Sequence, residues 1–109
     1  METSLEDKAQ QLRTLGHSAR LRIAVGLAGR CACVKEIQEC LGLPQAVVSQ
    51  HLKVMKAAGI LTAHRQGNRV CYSLDGEMFI RLLRVMGVVP EEGAGVSDRR
   101  GRVPAAVVR

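Results

Sequence analysis

Tryptophan is absent from this chain, and Tyr72 and Phe79 are its only aromatic residues. A core built from such a sequence must be aliphatic. No apolar run approaches the ~18 residues that a membrane-spanning helix requires. The opening segment, Met1 to Asp7, is acidic where a secretory signal would be basic and then apolar, so a soluble cytoplasmic protein is expected. Acidic residues are missing from the middle of the chain. All ten lie outside the stretch Leu41–Leu74, which holds Lys53, Lys56, Arg65 and Arg69 together with His51 and His64. With a net charge of +6, such a stretch is the footprint of a polyanion-binding surface, most often one for nucleic acid. A solvated basic face without a partner is the plainer alternative.

At 109 residues, with 47 % apolar and 24 % charged residues, the chain has globular composition and room for one domain. A domain of 1–88 and a flexible tail of 89–109, rich in Gly, Pro and Arg, are expected. A core of this size is modest, and association between copies would help stabilise it. The four cysteines, Cys31, Cys33, Cys40 and Cys71, are expected as reduced thiols in a cytoplasmic protein. Metal ligation, redox sensing and plain burial are then their available roles.

The residue pattern predicts five helices and a hairpin. A first helix over 4–15 is capped by Ser4, with Leu5, Leu12 and Leu15 on one stripe and Gly16 at its end. A second, which Ser18 can cap, runs to about Ala28 with Arg20 and Arg22 outside, and stops at Gly29. Cys31–Val34 is a short extended or entry segment, followed by a helix over 35–41 that ends at Gly42. Pro44 suits the first turn of a fourth helix, which reaches Ala58 before Gly59. Strands at 60–65 and 69–74 are joined by Gln66-Gly67-Asn68, and a fifth helix spans 76–87.

This order is that of a winged helix-turn-helix, mainly α with a small β-hairpin. On a helical wheel, Gln45, Ala46, Ser49, Gln50, Lys53 and Lys56 of the fourth helix fall within about 140°. Val48, Leu52 and Met55 cluster on the other side as anchors. A small, polar and basic face without an acid suits a helix in the major groove, where Gln45 and Gln50 pair with base edges and the others reach phosphates or bases. Arg65 and Arg69 flank the hairpin tip, where a wing would touch DNA. His51 points nearly opposite the polar face and is expected to be packed and hydrogen-bonded. His64 is expected to be partly exposed on the wing, and His17 to be a cap or turn residue.

The fifth helix has apolar residues over nearly half its circumference: Met78, Phe79, Leu82, Leu83, Val85 and Met86. So wide a face predicts a homodimer formed through the first and last helices. Two-fold symmetry would set two recognition helices about one DNA turn apart, on an inverted-repeat operator.

The segment Leu41–Lys53, followed by Ala58-Gly-Ile-Leu61 and the hairpin Arg65–Tyr72, resembles the ArsR/SmtB family of dimeric winged-helix repressors over about residues 5–87. The resemblance implies a repressor of double-stranded operator DNA, with no obligatory cofactor, that is released by an effector, often a metal or metalloid ion. It places the DNA-touching positions on Gln45, Ala46, Ser49 and Gln50. Cys31-Ala32-Cys33 looks like the family's Cys-x-Cys thiolate site, which makes Cys31 and Cys33 the candidate ligands of a thiophilic ion such as arsenite. The third thiol of the arsenic-type site is missing, because Glu36 stands one turn after Cys33. Cys40 is seven residues on, ~10.5 Å along a helix, whereas two sulfurs on one ion bound at ~2.3 Å are at most ~4.6 Å apart. Cys40 is therefore the weaker candidate ligand, and Cys71 is expected to be an ordinary half-buried strand residue. The cysteines of the cadmium or lead site are absent, and so is the His- and acid-bearing zinc pattern on the last helix. A cysteine redox or persulfide switch, or regulation without thiol chemistry, is the alternative. No nucleophile motif, phosphate loop or carboxylate pair points to an enzyme.

Overall fold

The computed structural model describes residues 4–88. The tail expected over 89–109 lies outside them. The chain runs α1 (Leu5–Leu15), α2 (Ser18–Gly26), β1 (Cys31–Cys33), α3 (Val34–Leu41), α4 (Gln45–Ala57), β2 (Leu61–Gln66), β3 (Arg69–Leu74) and α5 (Met78–Val85). Ile23, Leu27, Ile37, Val48, Leu52, Met55, Ile60 and Leu83 are fully buried at the centre of an aliphatic core, which Phe79 completes. No helix among the described residues is long and apolar enough to cross a membrane.

Ser4 caps α1 as expected, its hydroxyl accepting from Asp7 N–H at 3.1 Å. At α2 the cap is His17 rather than Ser18: His17 Nδ1 accepts from Ala19 N–H at 3.2 Å. This helix stops at Gly26, short of Ala28, and Arg20 does not point outside but donates to His51 Nδ1 at 3.3 Å. The fifth helix is also shorter than expected, because Gly76 and Gly87 take positive φ and stand outside it. The stripe expected on α1 divides: Leu15 enters the core, whereas Leu5 and Leu12 are exposed.

Two features set the start of α4. Gly42 ends α3 in the left-handed conformation (φ 71°), its N–H donating to Gln38 C=O at 2.8 Å. Pro44 then sits one position before the first turn of α4 in extended backbone, its carbonyl accepting from Val47 and Val48 N–H.

The wing differs from a lone hairpin. The segment 31–33 pairs with β3, giving a three-stranded antiparallel sheet of order β1-β3-β2. A three-residue strand carries no periodicity of its own, and its pairing depends on β3 having one edge unfilled by β2. The hairpin turn is the two-residue Gly67-Asn68, since Gln66 pairs with Arg69. Gly67 has φ 64° and Asn68 a negative φ, matching a type II′ turn with glycine first.

Candidate nucleic-acid interface and thiol site

In α4 the aliphatic residues at one spacing leave the polar ones no choice of side. Val48, Leu52 and Met55 are buried against the core, and Gln45, Ala46, Ser49, Gln50, Lys53 and Lys56 are all exposed. Val47, which the wheel did not assign to that face, is exposed beside Ala46. The helix therefore presents hydrogen-bonding and cationic side chains outward with no carboxylate among them. Such a surface can meet base edges and phosphates together. His51 lies behind this face, half-buried, with the His17 ring at 4.7 Å and Arg20 on its Nδ1. Burial, then the neighbouring His17 and Arg20, lower its pKa below the ordinary 6.5, so a proton there is disfavoured.

The two wing arginines part company. Arg65 pairs with Val70 and Gln66 with Arg69, so Arg65 and Arg69 leave opposite faces of the ribbon. Arg65 is exposed. Arg69 keeps 60 % of its side chain in solvent, but its guanidinium is tied down. Its Nη2 donates to Cys33 Sγ at 2.8 Å and meets Glu36 Oε1 at 3.2 Å. The bond to Cys33 sulfur, followed by the charges of Cys33 and Glu36, raises the Arg69 pKa further. Glu36 is itself held by the Cys33 N–H at 2.9 Å. The structure thus brings one expected wing residue together with one expected ion ligand.

These features have counterparts in known proteins. Residues 15–64 match the model of a helix-turn-helix domain. The transcriptional repressor PagR of Bacillus anthracis is 42 % identical over 84 residues, covering 73 % of this chain and 84 % of PagR. The HTH-type transcriptional repressor SmtB of Mycobacterium tuberculosis is 41 % identical over 70 residues, 64 % of this chain. The homodimeric winged helix-turn-helix DNA-binding domain of Mb0332 from Mycobacterium bovis, an ArsR-family candidate, superposes with a TM-score of 0.72 at 30 % identity, covering 77 % of this chain and 78 % of that one. The chain belongs to the ArsR/SmtB family. It spans about half the length (52 %) of the SmtB repressor it matches.

Within this ArsR/SmtB-family fold the thiols are where the sequence expectation needs most revision. Strand β1 places Cys31 and Cys33 at alternate positions, on one face, with Ala32 turned into the core between them. Cys40 packs against the core from α3. Cys71 is more than an ordinary strand residue: it stands directly opposite Cys33 on β3, 4 % exposed, and its thiol donates to Gln66 Oε1 at 3.3 Å. Burial first, and then the charge of Cys31, push the Cys71 thiol up; Arg69 opposes them. The signal that would have placed Cys71 with Cys31 and Cys33 was the pairing of β1 with β3. None of the cysteines forms a disulfide. Among the described residues, no group of three or more His, Cys, Asp or Glu is gathered so as to hold a metal ion.

Proposed function

We propose that this chain is a transcriptional repressor that binds double-stranded operator DNA as a homodimer, α4 entering the major groove and the β2–β3 hairpin lying against the backbone. The observation that carries this reading is the outward face of α4: six polar or small residues, no acid, fixed by three buried anchors. Two relatives, PagR and SmtB, are named repressors, and the Mb0332 domain is described as homodimeric and DNA-binding. Dimerisation through α1 and α5 has support in this chain. Leu5 and Val85 are 82 % and 86 % exposed, Leu12 and Met86 are exposed with them, and Lys8 Nζ meets Met78 Sδ at 3.1 Å, which joins α1 to the start of α5. An apolar surface of this kind is what a second copy covers. The operator is then an inverted repeat with half-sites about one turn apart.

The effector reading rests on Cys31 and Cys33. Two thiols on one strand face form a soft donor pair suited to a thiophilic ion such as arsenite. Ligation of Cys33 would take its sulfur from Arg69, a wing residue, and so reach the DNA-binding surface. Anisotropy of a labelled duplex from the chain's own promoter, titrated with protein and then with arsenite, tests both parts. Release of DNA by arsenite, lost in Cys31→Ser and Cys33→Ser, is the expected result. Failure of the protein to bind the duplex sinks the repressor reading, and wild-type release by the serine variants sinks the ion site.

A second reading, thiol oxidation in place of ion binding, is favoured by one arrangement: Cys31, Cys33 and Cys71 share one face of the β1–β3 pair.

A further inference from the structure

The inner face of α1 departs from the apolar pattern of the other helices. Positions 8, 11 and 15 fall on one side of it by the helical repeat. Leu15 is buried there, whereas Lys8 and Gln11 are polar and half-buried. Lys8 reaches Met78 of α5. Gln11 reaches the C-terminal end of α4, where its Nε2 donates to Ala58 C=O at 3.1 Å.

That carbonyl is one the helix end leaves over. Gly59, at φ 80°, closes α4 with two backbone bonds: its own N–H donates to Lys56 C=O and Ile60 N–H to Met55 C=O, each at 3.0 Å. This is the Schellman arrangement, and it satisfies carbonyls further back in the last turn. Ala58 C=O lies beyond its reach. A Cβ on Gly59 would stand 3.3 Å from Gln11 Nε2, so the amide and the glycine backbone approach closely. Strand β2 begins at Leu61, and Ile60 C=O accepts from Asp75 N–H at 2.8 Å, just past the end of β3. The turn 58–60 is thus the joint from which both α4 and the hairpin leave.

We infer that Gln11 is a positioning residue for DNA binding: its amide ties the joint between α4 and the hairpin to α1, so that both DNA-touching elements keep one orientation on the helix that forms the dimer. This inference rests on the reading of the chain as a dimeric repressor. Stability does not account for the amide. Its Oε1 is buried with no hydrogen-bond partner among the described residues, and an unpaired buried acceptor offsets part of what the Nε2 bond contributes. An apolar side chain of the same length would fill the space without that cost. What the amide adds is direction. Turned over, it would set Oε1 against Ala58 C=O, two acceptors with no proton between them. The next residue, Leu12, is exposed on the surface proposed for the second copy. Helix α1 therefore carries both contacts, and a shift of it at the dimer interface is passed to the joint.

Three full-length variants separate donation from shape. Gln11→Met and Gln11→Glu keep the length without a donor at neutral pH, and either carries the comparison if the other does not fold. Gln11→Lys keeps a donor. Amide hydrogen exchange followed by NMR reads the joint directly. Gly59 and Ile60 N–H should exchange several-fold faster in the two donor-free variants than in wild type and Gln11→Lys, while Leu27 N–H, bonded within α2, is unmoved. Anisotropy of the promoter duplex against a scrambled one reads the consequence. The ratio of the two affinities should fall at least about fivefold in the donor-free variants and be kept in Gln11→Lys, with sedimentation mass unchanged. A ratio unchanged without the donor, or lowered equally in all three variants, overturns the positioning role. Unchanged exchange at Gly59 and Ile60 overturns it as well. Wild-type protein that binds neither duplex, or that sediments as a monomer, overturns the dimeric-repressor reading instead and leaves the exchange rates to decide the tie at Ala58.

Discussion

Arg69 Nη2 donates to Cys33 Sγ at 2.8 Å, joining the first residue of the last wing strand to the residue that opens α3. The guanidinium covers a sulfur that is already buried, so Arg69→Ala is expected to speed alkylation of Cys33 by iodoacetamide, read in a Cys31→Ser background from the tryptic peptide 31–35 against peptide 36–53, which holds Cys40, as internal control. Equal rates in variant and wild type would show that the contact has no chemical consequence.

Arg65 lies on the other face of the ribbon, exposed. Under the proposed reading it is a phosphate contact, which would contribute to DNA affinity uniformly across sequences. Arg65→Ala should weaken binding to specific and scrambled duplexes alike and reduce the slope of log K against log salt by about one. Gln50→Ala, in contrast, should cost about 1–3 kcal/mol on the cognate duplex and relax its specificity.

Gly42 holds the turn between α3 and α4 at φ 71°, where a Cβ is strained even though no neighbouring atom lies within 4 Å of its position. Gly42→Ala should lower stability by about 1–2 kcal/mol in urea denaturation, with the far-UV spectrum unchanged. A neutral substitution would mean that the turn can relax.

His51 titrates with a lowered pKa because burial, His17 and Arg20 all oppose its proton. Above the unfolded value of 6.5 both states are neutral and the group has no effect. As the pH falls through that value, the unfolded chain takes the proton first, so stability declines. Melting temperature should drop between about pH 7.5 and about pH 5.5, and drop less in His51→Gln. Parallel curves for the two proteins would remove His51 as the cause.

The apolar surface of α1 and α5 predicts a sedimentation mass of twice the 11.8 kDa chain. Leu12→Glu or Val85→Glu should shift it toward the monomer with little loss of secondary structure. A monomeric wild type at micromolar concentration would contradict the interface.

Much of this was legible without coordinates. Glycines at 42 and 59 punctuate α3, α4 and β2, and the Val48, Leu52 and Met55 spacing alone fixes which face of α4 looks outward. What escaped was long-range: no local pattern shows that Cys31–Cys33 pairs with β3, so neither the Cys33–Cys71 opposition nor the return of Arg69 toward α3 could be read. His17 beside Gly16 reads as a cap or turn residue, and it is the cap; what the sequence did not decide was between it and Ser18, the commoner capping type.

Anisotropy of a labelled duplex from the chain's own promoter, followed from about 50 to about 200 mM salt, tests the exposed face of α4 most directly. Tight binding that weakens steeply with salt, and that the paired change Gln50→Ala and Lys53→Ala reduces, is the predicted result. A duplex left unbound even at the lowest salt, or bound equally well by the paired variant, would contradict it.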